Sequence, residues 1–303
     1  MAIAVPTRPA RRRLVERLRA PLSILREVAR RPVGLFGLVV VGGLLALAVA
    51  APLVAPYSDT AQNIADRLQG PSLAHPLGTD ELGRDLLSRL IFGTRIALGV
   101  AIPAVSAALA AGLVLGAVAG YVGRWVDNVL IVVMDTLQAF PAVILALALL
   151  AVLGPSLRNV IIVIAVSFAP AYARVARALV LTTKQNQFIE AERSLGASDL
   201  RIVGIHILPN IVGSLFILLA MDIPSAITVE AGLSFLGLGV QPPTPSWGVI
   251  LNDGFDRVRE TPWPVLWAGL MLMLATLGFT MLGETLRDVV DPKLARIRRF
   301  RRT

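Results

Sequence analysis

The chain has 303 residues, of which 55% are hydrophobic and 16% charged, and its mean hydropathy is +0.72. This composition excludes an ordinary soluble globular protein and indicates an integral membrane protein. The sequence has no Cys, which excludes disulfide frameworks, thiolate metal sites and thiol nucleophiles.

Six stretches are long and apolar enough to cross a bilayer, which takes about 20 mostly apolar residues. The predicted spans are residues 33–54, 96–122, 129–153, 160–181, 205–229 and 265–286. They predict an all-α integral membrane protein with six transmembrane helices. The fourth span is the weakest, because Arg174 and Arg177 interrupt its last turns. At a spacing of i and i+3 they share one helix face, from which both can extend to water.

The net charge of +9 would suggest nucleic acid as a partner in a soluble protein. Here most Lys and Arg lie before the first span, between the fourth and fifth spans, and after the last. With both termini in the cytoplasm, this distribution obeys the positive-inside rule, and anionic lipid accounts for the basic surplus. The expected divisions are a basic arm at 1–32, a first span and external segment at 33–95, a core of five helices at 96–290 with a cytoplasmic loop at about 182–204, and a basic tail at 291–303.

The two external segments, residues 57–95 and 232–264, are of mixed polarity. Residues 80–92, DELGRDLLSRLIF, are amphipathic and are expected to lie along the membrane interface. In the second segment and the span after it, Trp247, Trp263 and Trp267 suit the outer interfacial belt, whereas Tyr121 suits the inner one.

One short motif suggests an enzyme. GLSF, residues 232–235, matches the GxSx pattern of intramembrane serine proteases, in which Ser234 would need a general base within hydrogen-bond reach. His206 lies at the opposite end of the same predicted span, roughly 40 Å away at 1.5 Å per residue. Nothing in the sequence brings His75 near Ser234, so the protease interpretation is disfavoured.

Acidic and amide side chains at membrane depth are costly and usually face an interior or a watery path. The candidates for a polar pathway or a contact between subunits are Asp135, Gln138, Asp222 and Glu230. Structural hydrogen bonding explains them equally well at this stage. The sequence has no GxxxxGK[ST] phosphate loop, so if ATP drives this protein, a partner must bind it.

The polar stretch between the fourth and fifth spans predicts a helix, a turn and a second helix. Phe188, Ala191 and Leu195 form one apolar face, and Gly196 suits a left-handed helix end. Ser198 or Asp199 can cap a second helix from Leu200. By spacing alone, this element either docks on a partner or lies flat on the inner leaflet.

Residues 190–210, EAERSLGASDLRIVGIHILPN, resemble the cytoplasmic coupling loop of permease subunits from ATP-driven, binding-protein-dependent importers. The positions that match the family pattern are Glu190, Ala191, Gly196, Leu208 and Pro209. Glu192 departs from the second Ala of that pattern, and His206 stands where an aliphatic residue is preferred. Three further stretches are similar to the dipeptide, oligopeptide and nickel branch: HPLGTDELGRDLLSRLIFGTRIAL, MDTLQAFPAVILALAL and EAGLSFLGLGVQPPTPSWG. The resemblance extends from about residue 33 to about residue 292.

This resemblance implies a type I ABC importer permease fold (MetI-like) with a cytoplasmic coupling helix, in a bacterial cytoplasmic membrane. It implies four kinds of partner besides the bilayer: a second homologous permease, two cytoplasmic ATPase subunits that bind the ATP, and an extracytoplasmic solute-binding protein. This chain itself would carry no cofactor and would not be an enzyme. The residues expected to couple to an ATPase are Phe188, Glu190, Ala191, Arg193, Leu195, Gly196, Ala197 and Leu200.

Short peptides are the favoured substrate. The second span is rich in Ala and Gly, which suits a wide path, but small residues serve close helix packing equally well. Nickel or another small solute is the alternative, since a chelated metal would need no ligand from this chain. A stand-alone ion-coupled transporter that uses Asp135, Asp222 or Glu230 is the alternative from a different class.

Overall fold

A computed structural model describes residues 23–290, so the tail at 291–303 and most of the arm at 1–32 lie outside the described residues. The described part is helical, and its only β feature is an isolated bridge between Thr79 and Asp85. The helices are α1 (Pro32–Val54), α2 (Leu86–Val122), α3 (Arg124–Gln138), α4 (Ala142–Leu153), α5 (Leu157–Lys184), α6 (Gln187–Ser194), α7 (Asp199–Phe235), α8 (Trp247–Phe255) and α9 (Trp263–Val290). A π-helical stretch, Ile202–Ile207, lies within α7.

Five of these helices, α1, α2, α5, α7 and α9, are long and apolar enough to span a membrane, and α3 with α4 forms a sixth candidate bent by 91°. A contact between the two ends of the bundle supports counting the bent pair as one crossing. Arg31, just before α1, pairs with Asp288 near the end of α9 at 3.3 Å. The first span thus begins on the side where the last span ends, which requires an even number of crossings.

Two expected elements differ from the observed ones. Residues 80–92 do not form an interfacial helix, because α2 starts at Leu86 and runs without a break into the second span. The Asp85 carboxylate caps this start by accepting a hydrogen bond from the backbone N–H of Ser88 at 2.8 Å. The predicted third span, 129–153, is not one helix, since Pro141 cannot donate a backbone hydrogen bond and the chain turns sharply before it.

The α2–α5 contact is the most extensive between two helices of the described chain, and three glycines spaced four residues apart make it possible. A Cβ atom on Gly112 would lie 2.7 Å from the Ala169 carbonyl oxygen, and one on Gly116 would lie 2.3 Å from that of Ala173. Gly120 approaches the backbone of α5 in the same way. These small residues allow two backbones to touch, so at these positions they serve packing rather than a wide path.

The two ends of the bundle are different. One end, here the α6 end, carries α6 and the Arg31–Asp288 contact. The other, here the loop end, carries residues 55–85 and 236–262. At the loop end the buried Asp80 carboxylate accepts from Arg84 Nε at 2.6 Å and from an Arg89 guanidinium nitrogen at 2.8 Å. Trp247 also lies here and is fully buried, contrary to its expected place in a lipid-facing belt.

Candidate coupling element and transport path

The short helix α6 presents its predicted apolar face to the outside of the chain. Phe188 is 44% exposed and Leu195 is 83% exposed, and Ala191 between them is exposed as well. The neighbouring Ile189 points the other way and is fully buried, together with Ile202 and Ile207 of α7. The sequence pattern identified the exposed stripe correctly but missed Ile189, which anchors the helix to the bundle.

The turn after α6 confirms the role expected of Gly196. Its φ is +82°, the left-handed conformation that favours glycine. The N–H of Gly196 donates to the Arg193 carbonyl at 2.9 Å, and the N–H of Ala197 donates to the Glu192 carbonyl at 3.0 Å. This pair of bonds is the Schellman arrangement, which ends the helix cleanly.

The second helix of this element starts one residue earlier than expected. It begins at Asp199, and Ser198 makes no side-chain capping bond. The Asp199 carboxylate instead accepts a hydrogen bond from the hydroxyl of Tyr121, at the end of α2. At the same site His206 lies 3.6 Å from the Glu192 carboxylate, so both residues that depart from the family pattern contact each other.

Tyr121 is a residue that the sequence analysis assigned only to the lipid interface. Its carbonyl accepts a hydrogen bond from Lys184 Nζ at 2.6 Å, and Lys184 and Arg193 both lie over its ring, at 5.0 and 5.9 Å from the centroid. The ends of α2 and α5 are thereby joined to α6 and to the start of α7. No local pattern could reveal this junction, because 63 residues separate Tyr121 from Lys184 and 78 separate it from Asp199.

The polar residues proposed at membrane depth fall into separate places. Asp135 and Gln138 line an open cleft of about 590 Å³ between α3 and α5, together with Arg174 and Arg177. Arg174 reaches Asp135 at 2.7 Å. Arg177 donates two hydrogen bonds to Asp127, at 2.5 and 2.6 Å. Each arginine therefore has an acidic partner on α3, and the extension of both side chains to water stays a prediction.

The other two acidic candidates lie on α7. Asp222 is half-buried near Tyr172 of α5. Glu230 is fully buried and accepts a hydrogen bond from the Ser234 hydroxyl at 2.8 Å. That hydroxyl also accepts from the backbone N–H of Val240 at 3.1 Å and is only 2% exposed. Ser234 thus links the end of α7 to the loop after it, and its hydroxyl is not accessible as a nucleophile.

One carboxyl group at the loop end, that of Asp253, has a raised pKa. Burial raises the pKa of Asp253 to about 6, although the guanidinium of Arg84 beside it acts in the opposite direction. The two groups are 3.4 Å apart, and Arg89 lies at 3.6 Å. Asp253 of α8 therefore ties the second loop segment to the arginines that Asp80 holds.

The chain is thus a bundle of spanning helices with a short helix, α6, whose apolar face is exposed, which is the architecture of a multi-pass membrane protein. Residues 112–296 match the family model described as binding-protein-dependent transport system inner membrane component. The chain belongs to this family, whose members are inner-membrane subunits of transport systems. Residues 23–71 match a second model, the N-terminal transmembrane domain of oligopeptide transport permease C.

Similar curated proteins are named as transport permeases. A dipeptide transport system permease protein of Alkalihalophilus pseudofirmus is 39% identical over 89% of this chain and 88% of its own length. A glutathione transport system permease protein of Shigella flexneri is 45% identical over 83% of each chain. Among solved structures, an inward-facing MetNI methionine ABC transporter chain aligns with a TM-score of 0.55 and 18% identity, covering 68% of this chain and 98% of that one. That likeness supports the type I importer permease fold.

Proposed function

We propose that this chain is a permease subunit of an ATP-binding-cassette importer for short peptides. It would form the translocation path with a second, homologous permease. Two cytoplasmic ATPase subunits would supply the energy, and an extracytoplasmic solute-binding protein would deliver the peptide. The observation that carries the proposal is the exposed apolar face of α6, on a helix that the buried Ile189 anchors to the rest of the chain.

The exposed face of α6 has the form that a docking helix needs. Its apolar side chains at 188, 191 and 195 lie on one side of a two-turn helix and are all exposed within the described chain. An amphipathic helix of this kind fills a hydrophobic groove on a partner. Glu190 and Arg193 flank the stripe and are exposed as well, which allows them to pair with charges at the rim of such a groove.

The contacts between α6 and the bundle would let a docked partner move the spanning helices. The buried Ile189 and the contact of Arg193 with the Tyr121 ring connect α6 to the bundle, and the Tyr121–Asp199 bond joins α2 to α7, which extends to Phe235. Movement of an ATPase surface would therefore be passed to spanning helices as a rigid-body shift. ATP binding shifts the permease only insofar as its docked states differ in free energy.

The docking role sets the orientation. ATPases act in the cytoplasm, so the α6 end would face the cytoplasm and the loop end would face the solute-binding protein. The Arg31–Asp288 contact lies at the α6 end, so both termini would be cytoplasmic, in a bacterial cytoplasmic membrane. This is also the orientation that the positive-inside rule favours.

The names of the relatives support short peptides as the substrate, since they include a dipeptide and a glutathione permease. Glutathione is itself a tripeptide. Of the four polar residues proposed for the pathway, Asp135 and Gln138 are exposed in a cleft and are the better candidates. Asp222 remains a candidate at a half-buried position. Glu230 is enclosed by its own chain, which favours a structural role.

Crosslinking tests the docking role directly. Because the chain has no Cys, Ala191→Cys and Leu195→Cys each introduce a single thiol, and Leu73→Cys at the loop end serves as the exposed control. In intact cells, a thiol-reactive crosslinker should join an ATPase subunit to the two α6 variants and not to the control. Failure of both α6 variants to capture an ATPase, or transport by this polypeptide alone, would contradict the proposal.

A further inference from the structure

An exposed ion pair at membrane depth sets the cleft apart from the rest of the bundle. Arg174 lies 2.7 Å from Asp135, yet their side chains are 57% and 56% exposed. Both residues lie about 15 Å from the α6 end of their helices, at 1.5 Å per residue. Charged groups at this depth face a watery path or a protein neighbour rather than lipid.

The neighbouring pair shows what a purely structural contact looks like in the same helices. Arg177 gives Asp127 two hydrogen bonds, and their side chains are only 27% and 13% exposed. This pair fixes α3 against α5. Arg174 and Asp135 share one short contact instead, which leaves the second carboxylate oxygen and further guanidinium N–H groups facing the cleft.

The broken span adds a second polar feature to the cleft. Helix α3 ends at Gln138, directly before the 91° bend, and Gln138 and Ala139 line the same cleft. The carboxyl end of a helix carries partial negative charge, which favours a cation near Asp135. Interrupted helices at mid-membrane are a common way for transporters to build binding sites.

We propose that this cleft is a subsite of the translocation path that takes the charged ends of a peptide. Arg174 binds the terminal carboxylate, and Asp135, with the end of α3, binds the terminal ammonium. The cleft volume of about 590 Å³ falls within the usual range for pockets that hold small molecules, roughly 300–1,000 Å³. The inference rests on the proposed function, since it assumes that peptides pass through.

Exchange of ion pairs explains why this arrangement suits a site that a peptide enters and leaves, rather than one that binds it permanently. Before a peptide enters, Arg174 and Asp135 neutralise each other. An entering zwitterion replaces that one pair with two, and on its departure the original pair forms again. No step leaves a single charge unpaired at membrane depth, which would be costly. A site along a path must hold its cargo favourably enough to admit it and weakly enough to release it.

The experiment compares a dipeptide with its C-terminal amide, each at saturation of the solute-binding protein, in proteoliposomes that contain the whole complex. Wild type should prefer the free carboxylate. Arg174→Gln should reduce that preference roughly tenfold or more, because a charge-assisted hydrogen bond is lost. Arg158→Gln, an exposed arginine at the loop end of the same helix, should retain it. A preference that survives in Arg174→Gln overturns the subsite. Wild type that transports neither peptide refutes the proposed function instead.

A second measurement does not depend on Arg174. Gln138→Cys places a single thiol in the cleft of the assembled complex. A membrane-impermeant, water-soluble thiol reagent should label it, and transported dipeptide should slow the labelling. Val39→Cys, on the exposed face of α1, should stay unlabelled. A Gln138→Cys thiol that never reacts would mean that lipid or protein covers the cleft, and the subsite would be refuted.

Discussion

The indole Nε1 of Trp247 donates a hydrogen bond to the backbone carbonyl of Leu90 at 3.1 Å, across 157 positions of sequence. Trp247 begins α8, and Leu90 lies in the first turns of α2. The contact fits tightly, since a Cβ atom on Gly93 would lie 2.8 Å from the indole ring. Together with Asp253 and the arginines of α2, it makes the loop end one connected structure rather than two separate loops.

Trp247→Phe tests this connection. An aromatic ring is kept, but the pyrrole ring with its N–H is removed, so the fully buried site loses both a hydrogen bond to the Leu90 carbonyl and part of its packing. We expect a loss of about 1–3 kcal/mol of folding free energy, measured as a lower melting temperature of the purified protein in detergent. Trp125→Phe, at an exposed position, is the control. Equal melting temperatures for the two variants would show that this buried contact does not stabilise the fold.

The α2–α5 crossing predicts sensitivity to a single methyl group. Gly116→Ala would place a Cβ atom 2.3 Å from the Ala173 carbonyl oxygen, so the two helices must separate. We expect destabilisation of roughly 1–3 kcal/mol and a reduced yield of folded protein. Gly99→Ala is the matched control, because nothing lies within 4 Å of its Cβ position in the same helix. Comparable thermal stability of the two variants would mean that the crossing is looser than described.

The left-handed turn after α6 predicts that a substitution there separates ATP hydrolysis from peptide uptake. A φ of +82° strains the β-branched side chain that Gly196→Val introduces, at a cost of about 1–2 kcal/mol. This strain favours a different backbone conformation where the chain leaves α6. We expect the complex to hydrolyse ATP with little peptide uptake, measured as peptide transported per ATP hydrolysed in proteoliposomes. Gly204→Val, at a helical position with open space around it, should keep the wild-type ratio. An unchanged ratio in the Gly196 variant would argue against a coupling role for this turn.

Asp253 predicts a specific pH dependence of stability. Its pKa is about 6 in the folded protein, against an ordinary value of 3.8, so the folded state holds more protons than the unfolded state between these values. The contribution of this carboxyl is therefore most favourable below roughly pH 4 and declines as the pH rises through about 6.

The test compares wild type with Asp253→Asn across this range. The melting temperature of wild type, relative to that of Asp253→Asn, should fall as the pH rises from about 4 to about 7. A difference that stays constant, or that rises with pH, would contradict the displaced pKa.

Much of the fold followed from local patterns. Long apolar runs located five spanning helices, and the spacing of Phe188, Ala191 and Leu195 identified the exposed stripe of α6. The glycine at 196 adopts the predicted left-handed turn. In each case the property belongs to a few neighbouring residues, so the sequence alone carries it. The sharp break before Pro141 was only partly foreseeable, because proline weakens a helix without fixing the angle.

The candidate sites needed the tertiary structure. Arg174 and Arg177 are alike in sequence, yet one forms an exposed pair with Asp135 and the other a partly buried clamp with Asp127. Tyr121 and Ile189 carried no signal of their roles, because their partners lie on other helices.

The sequence by itself determined that this is a multi-span helical membrane protein with a polar helix–turn–helix stretch between two spans, since hydropathy and turn chemistry act over short stretches. Only the tertiary structure decided which charges meet, which small residues bring helices together and which residue, Ile189, anchors α6 to the bundle. Those outcomes depend on contacts between residues distant in sequence, and their energies follow from burial and geometry rather than from residue type.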